Sequence, residues 1–140
     1  NSLILTKMTS KNRINLIKKT KKTFINGDED QLNRVFVNLI KNSEEAFLDK
    51  IEKDPNFKGN IDIEITYNND YTIITLKDNG TGITDAKKAM TPYFTTKKTG
   101  SGLGLPIVSK IINEHSGYFS IKNKSEKSGA IVTISLPKYV

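Results

Sequence analysis

Ile61-Asp62-Ile63-Glu64-Ile65-Thr66-Tyr67 alternates apolar with polar residues, Asn68-Asn69-Asp70 interrupts, and Tyr71-Thr72-Ile73-Ile74-Thr75-Leu76-Lys77-Asp78 resumes the alternation. Period-two patterning on both sides of a short Asn/Asp turn predicts a β-hairpin with one buried face. Thr72, Ile74, Leu76 and Asp78 share a side of the second strand. A carboxylate that continues an apolar face costs several kcal/mol if buried unpartnered, so Asp78 requires donors. Two sources fit: the backbone N–H groups of the Asn79-Gly80-Thr81-Gly82 turn, or the exocyclic amine of a purine at the rim of an apolar pocket.

Upstream, Leu32, Val35, Phe36, Leu39, Ile40, Ser43, Phe47 and Ile51 recur at helical spacing, with Asn38, Asn42 and Glu45 along one flank of that face. Asp28 stands where the N-cap belongs, three residues ahead of Gln31 in a capping-box-like arrangement, and Asp54-Pro55 ends the helix. Further upstream, Ile14, Leu16, Phe24 and Ile25 flank lysines as strand residues do, with a short strand expected over 23–25.

Downstream, residues 79 to 104 form a long loop for a compact domain, with only Asp85 to Met90 suited to a helical turn, and loops of this length are usually functional or mobile. A helix is predicted from Leu103, with Pro106 in its first turn, Leu103, Ile107, Val108, Ile111 and Ile112 as its stripe, and Gly117 as its stop. Strands are predicted over Tyr118 to Lys122 and Ala130 to Leu136, the second burying Ala130, Val132, Ile134 and Leu136. The elements sort into an α+β two-layer sandwich with helices on one side of a sheet.

At 140 residues the chain is the size of one domain, able to bury about 68% of its unfolded surface. It has no cysteine and one histidine, which excludes disulfides, cysteine metal sites and a multi-histidine metal site within one chain. The net charge of +7 lies entirely in residues 1–25, where Lys7, Lys11, Arg13, Lys18, Lys19, Lys21 and Lys22 meet no acid; the 15 other basic residues balance the 15 acids. Such a stretch suits an anionic partner, or an edge strand protected by lysines. Nucleic acid is disfavoured, since no aromatic stacking platform accompanies the lysines.

Gly100-Ser101-Gly102-Leu103-Gly104 runs straight into a helix, a combination that lets backbone N–H groups and a helix dipole meet phosphate. It is neither a Walker A loop nor a dinucleotide fingerprint, because no Gly-Lys-Ser/Thr follows and no strand immediately precedes it. Lys97 and Lys98 can meet phosphate oxygens or simply face solvent. Asn38 and Asn42 lie one helical turn apart; an Asn amide oxygen suits Mg²⁺, and an Asn pair equally suits a polar helix flank.

Taken together, Asn38 to Ala46 (NLIKNSEEA), Asp78 to Ile83 (DNGTGI), Pro92 to Lys97 (PYFTTK) and Gly100 to Val108 (GSGLGLPIV) resemble, in order and spacing, the asparagine, first glycine, phenylalanine and second glycine boxes. Those boxes define the catalytic ATP-binding domain of sensor histidine kinases. Glu114-His115-Ser116-Gly117 and Gly129-Ala130 to Pro137 are also similar to that family, and the resemblance spans roughly residues 12 to 138, closest to the nitrogen-regulation type.

The resemblance implies the Bergerat fold, a mixed sheet with three helices on one face and ATP held between helices under a mobile lid. It implies a boundary stub over 1–11, an ATP-binding domain over 12–140, and ATP with Mg²⁺ as cofactors. Asn42 would ligate Mg²⁺, Asp78 would read the adenine amine, Gly80 and Gly82 would admit the base, and Gly102 and Gly104 would face the phosphates. Asn38, Asn42 and Lys97 are the candidate catalytic residues; Ile83, Tyr93, Phe94, Thr96, Gly100, Leu103 and Leu105 complete the nucleotide contacts. Ala130 departs from the threonine frequent in the family, which puts a water-mediated adenine contact in doubt.

The implied reaction moves the γ-phosphoryl group of ATP to a histidine. His115, at a helix end before Ser116-Gly117, fits a structural role, so the acceptor would lie on a preceding helical hairpin of the same protein. That hairpin would make the full-length protein a homodimer, with this domain monomeric alone, a response regulator downstream, and a cytoplasmic position in a membrane-bound kinase. The rivals are a Bergerat-fold ATPase, like the gyrase and mismatch-repair enzymes, and an ATP-gated or ATP-independent protein-binding module. Asn38 argues against hydrolysis, because it stands where hydrolysing relatives place a Glu.

Overall fold

The computed structural model describes residues 13–18, 28–82, 104–124 and 128–138. In chain order these form β1 (Arg13–Lys18), α1 (Glu29–Lys53), β2 (Asn60–Tyr67), β3 (Tyr71–Asp78), α2 (Gly104–Glu114), β4 (Tyr118–Asn123) and β5 (Ala130–Pro137). The sheet runs β1-β2-β3-β5-β4. β1 pairs parallel to β2, with α1 supplying the crossover a parallel pair needs, and every other pairing is antiparallel. The mixed sheet is as expected, and the edge strand expected near Ile14 and Leu16 is β1.

The hairpin forms as its alternation dictates. Asn68 Oδ1 accepts the N–H groups of Asp70 and Tyr71, and Asn68 N–H donates to the Tyr71 carbonyl. Ile61 pairs with Asp78, Ile63 with Leu76, and Leu76 in turn with Val132 of β5. The buried side chains of β2, β3 and β5 therefore stack in rows across one face, and Val35, Leu39, Ile40 and Phe47 of α1 join the same core with Leu105, Val108, Ile111 and Ile112 of α2. Full burial of each such side chain stabilises by about 1.5–3 kcal/mol. The two helices also pack on each other.

Helix α1 starts as predicted: Asp28 is extended and its carboxylate accepts the Gln31 N–H at 3.2 Å. The reciprocal half of the capping box is different. Asp28 N–H donates to His115 Nε2 at 3.0 Å, 87 residues away, so a histidine at the end of α2 takes the place expected for the Gln31 side chain.

Helix α2 carries two corrections. Over its described span, with Leu103 lying outside the described residues, its buried stripe is Leu105, Val108, Ile111 and Ile112, with the predicted Ile107 only partly buried, because the helix is turned to bring Leu105 inward. It ends in a Schellman motif: Gly117 N–H reaches the Ile112 carbonyl at 2.9 Å and Ser116 N–H the Asn113 carbonyl at 3.0 Å. The left-handed residue is Ser116 (φ 59°), while Gly117 is small because a Cβ there would meet the Ser135 carbonyl at 2.5 Å. Two of the implied three helices lie among the described residues. The strand expected over 23–25, the helical turn over 85–90 and the stub over 1–11 lie outside them.

Candidate functional site

Asp78 ends β3 at 5% exposure and is the most buried carboxylate among the described residues. Three donors reach it from three parts of the chain. Gly80 N–H (3.0 Å) and Ala130 N–H (3.1 Å) both donate to Oδ1, and the Ser43 hydroxyl donates to Oδ2 at 2.8 Å. The turn thus supplies one expected backbone donor, and β5 and α1 supply two unexpected ones. An ionised carboxylate has about four acceptor positions, two on each oxygen. Among the described residues the three donors leave one, on Oδ2.

The turn after Asp78 is pinned from several sides. A Cβ on Gly80 would stand 2.7 Å from the Ala46 methyl, and Thr81 N–H approaches the Ala46 carbonyl at 3.4 Å, so glycine here lets the turn dock on α1. Gly82 has φ 82°, and a Cβ there would meet Asn123 Oδ1 at 2.5 Å. Asn79 holds the chain entering β2: its Oδ1 accepts Asn60 N–H at 2.7 Å and its amide donates to the Lys58 carbonyl at 3.2 Å. Ser128 Oγ donates to the Gly80 carbonyl.

Helix α1 links this turn to the start of α2. Asn38, five residues before Ser43, is about 7.5 Å along the helix axis, and its Oδ1 is the nearest group, at 3.9 Å, to where a Cβ on Gly104 would stand. Packing fills the side-chain space at Gly80, Gly82, Gly117 and Gly129. At Gly104 it is left open among the described residues, beside a helix N-terminus. The Asn38 amide N–H donates back to the Arg34 carbonyl at 3.0 Å, and Asn42, half-buried, lies between Asn38 and Ser43 in sequence on the same helix. Leu105 is buried in the core below.

The structure thus brings Asp78, Gly80 and Gly104 against the stretch of α1 that carries Asn38 and Asn42, while Gly82 lies against Asn123 and Gly129. Ile83, Tyr93, Phe94, Thr96, Lys97, Gly100, Gly102 and Leu103 lie outside the described residues. No group of three or more His, Cys, Asp or Glu side chains able to hold a metal occurs among the described residues. In the sequence Ser43 is a polar member of the apolar α1 stripe, and that misplacement is the available signal of its role. Ala130 acts through its backbone, which no side-chain pattern discloses. His115 donates from Nδ1 to the Ile111 carbonyl at 2.8 Å and accepts Asp28 N–H at Nε2, a neutral tautomer with both ring nitrogens engaged.

A mixed sheet with both described helices on one face, and a buried acceptor-only carboxylate at a strand end, make this an α+β domain. The chain belongs to the family described as histidine kinase-, DNA gyrase B- and HSP90-like ATPases, whose model matches residues 27–140. It is 39% identical over 117 residues to sporulation kinase A of Bacillus subtilis, covering 82% of this chain and 18% of that protein. It is 40% identical over 116 residues to sensor histidine kinase ZraS of Salmonella typhimurium, covering 81% and 23%. The catalytic domain of histidine kinase ThkA superposes with a TM-score of 0.73 at 27% identity, over 91% of this chain and 78% of that one. The chain therefore spans about a fifth of the length of these curated relatives.

Proposed function

We propose that this domain binds Mg-ATP and donates the γ-phosphoryl group to a histidine on a separate dimerisation domain, as the catalytic part of a two-component signalling kinase. The observation that carries the reading is Asp78, a buried carboxylate with three donors and one acceptor position left on Oδ2 among the described residues. That position suits the 6-amino group of adenine. The backbone at Gly80 and Gly82, with Ile83, Tyr93 and Phe94, lies around the base in this reading. The open backbone at Gly104, with Gly100, Gly102, Leu103, Thr96 and Lys97, faces the phosphates, and Asn38 and Asn42 contribute neutral amide oxygens of the kind Mg²⁺ accepts. When bound, Mg-ATP supplies the transferable phosphoryl group and the cation that neutralises its charge. The protein's own part is to orient the nucleotide and to offer donors along the phosphates.

Two observations favour transfer over hydrolysis and over self-labelling. Asn38 is an amide that donates to its own helix, and it cannot take a proton from an attacking water. His115 has both ring nitrogens engaged, Nδ1 with the Ile111 carbonyl of its own helix and Nε2 with the Asp28 N–H at the start of α1. The acceptor is then the histidine-bearing helical hairpin of the same protein, a homodimer when whole, with a response regulator as the next recipient. Its setting is the cytoplasmic side of a membrane-bound kinase. No described helix is long and apolar enough to cross a membrane.

Calorimetry with ATP, with and without Mg²⁺, followed by incubation with γ-labelled ATP, tests this. The 140-residue chain is expected to bind nucleotide more tightly with Mg²⁺, to remain unlabelled alone, and to label a separately supplied histidine hairpin with an acid-labile, base-stable bond. No heat of binding, or label on His115 in the isolated chain, would overturn the assignment.

A further inference from the structure

Ser43 does more than satisfy itself. It sits at 6% exposure in the apolar stripe of α1, where an alanine would pack without polar cost, and it directs its hydroxyl to Asp78 Oδ2 at 2.8 Å. The two donors on Oδ1 come from backbone that the turn and β5 already fix. Because the carboxylate is planar they also set its torsion, so what the hydroxyl adds lies on Oδ2 itself, where it fills one of two acceptor positions. Among the described residues the hydroxyl is the one donor on Oδ2, the oxygen that keeps an acceptor position. It comes from the helix that also carries Asn38 and Asn42, so it ties Oδ2 to the phosphate side of the site.

We infer that Ser43 is a specificity-determining, positioning residue: by occupying one acceptor position of Oδ2 it leaves the other, in a fixed direction, for a purine 6-amino group. The inference rests on the adenine reading of Asp78. A carboxylate surrounded by donors offers only acceptors, so a 6-amino group gains a hydrogen bond there, while a ring lacking it gains none. If Ser43 merely fills its place in the core, its loss affects all nucleotides alike.

The test is equilibrium binding, in Mg²⁺, of ATP and of purine riboside triphosphate, which has hydrogen at C6, to the unsubstituted chain and to Ser43→Ala, Ser43→Cys and Asp78→Asn. The unsubstituted chain is expected to prefer ATP. Ser43→Ala is expected to weaken ATP about three- to tenfold while purine riboside triphosphate changes by less than about twofold, which also reports that the variant is folded. Ser43→Cys, near-isosteric with a poor donor, carries the same comparison if the alanine variant fails to fold, and should also lose preference. Equal weakening of both nucleotides, or an unaltered preference, would overturn the role of Ser43. If Asp78→Asn abolishes the preference while both Ser43 variants keep it, this inference alone falls. If Asp78→Asn keeps it, the adenine reading itself falls.

Discussion

Along β3 the buried face carries two polar side chains, Thr72 near its start and Asp78 at its end, with Ile74 and Leu76 between them. Six residues of strand separate the two by about 20 Å. Asp78 receives donors from α1, from the following turn and from β5. Thr72, at 1% exposure and opposite Leu136, has a hydroxyl with no partner among the described residues. Each end is also closed by a glycine: Gly129 lies against the Asp78 carbonyl, and Gly117 against Ile112, Leu136 and Ser135. The contrast separates two kinds of buried polarity. One is built by distant segments that converge on a charge, and it coincides with the candidate site; the other is a single hydroxyl carried by apolar packing.

The largest effect is expected where the donor set would be forced apart. Gly129 has φ 132°, a conformation costly to any residue with a side chain, and an added Cβ would overlap the Asp78 carbonyl oxygen. Gly129→Ala should therefore lose about 3 kcal/mol of stability, the sum of backbone strain and displaced contacts, read as a lowered urea midpoint. Because Ala130 N–H moves with its neighbour, ATP binding should fall with it. A Gly129→Ala variant as stable as the parent would show that the Asp78 end is looser than its geometry implies.

The helix cap at Asp28, the hairpin, the core face of β5 and the oddity of Asp78 were legible in the sequence because each is a local pattern of period 2 or 3.6 or a cap at fixed spacing. The resemblance of the four boxes then joined Asp78 to Asn38, Asn42 and Gly104. What stayed hidden is long-range. Nothing in the residues around Asp28 announces that its N–H will meet His115, and nothing around Ala130 announces a backbone bond to Asp78. That the side-chain space of Gly80 is filled by Ala46 of α1 is likewise invisible in the residues around it. Close approach between segments decides such positions, and periodicity carries no trace of it. Ser43 lies between these cases: its place on the stripe was visible, its partner was not.

Asp78→Asn should have the next largest effect, and it sharpens the contrast by keeping the shape while inverting half the hydrogen bonding. An amide can still accept from Gly80 and Ala130 through its oxygen, but its nitrogen then faces the Ser43 hydroxyl and the adenine amine as a donor. The expected loss in ATP affinity is on the order of 1–3 kcal/mol, or about tenfold to a hundredfold, measured by calorimetry. Unchanged affinity would remove Asp78 from the nucleotide site and leave its three donors as structure alone.

The smallest effect, and one of opposite sign, is expected at the other end of the strand. Thr72→Val replaces a hydroxyl by a methyl of nearly the same shape, in a site where the hydroxyl has already given up its water and gained no partner among the described residues. Removing a desolvated, unpaired polar group should stabilise the fold by about 1 kcal/mol, offset in part by any tightening the larger methyl imposes. The reading is a melting temperature raised by about 3–5 °C. Affinity for ATP should not change, since about 20 Å of strand separates the substitution from Asp78 and sites that far apart with no shared partners act independently. A lowered melting temperature would mean that the Thr72 hydroxyl is paired after all. The two ends of β3 would then be alike in satisfying their polar groups, and they would differ only in the charge that Asp78 brings.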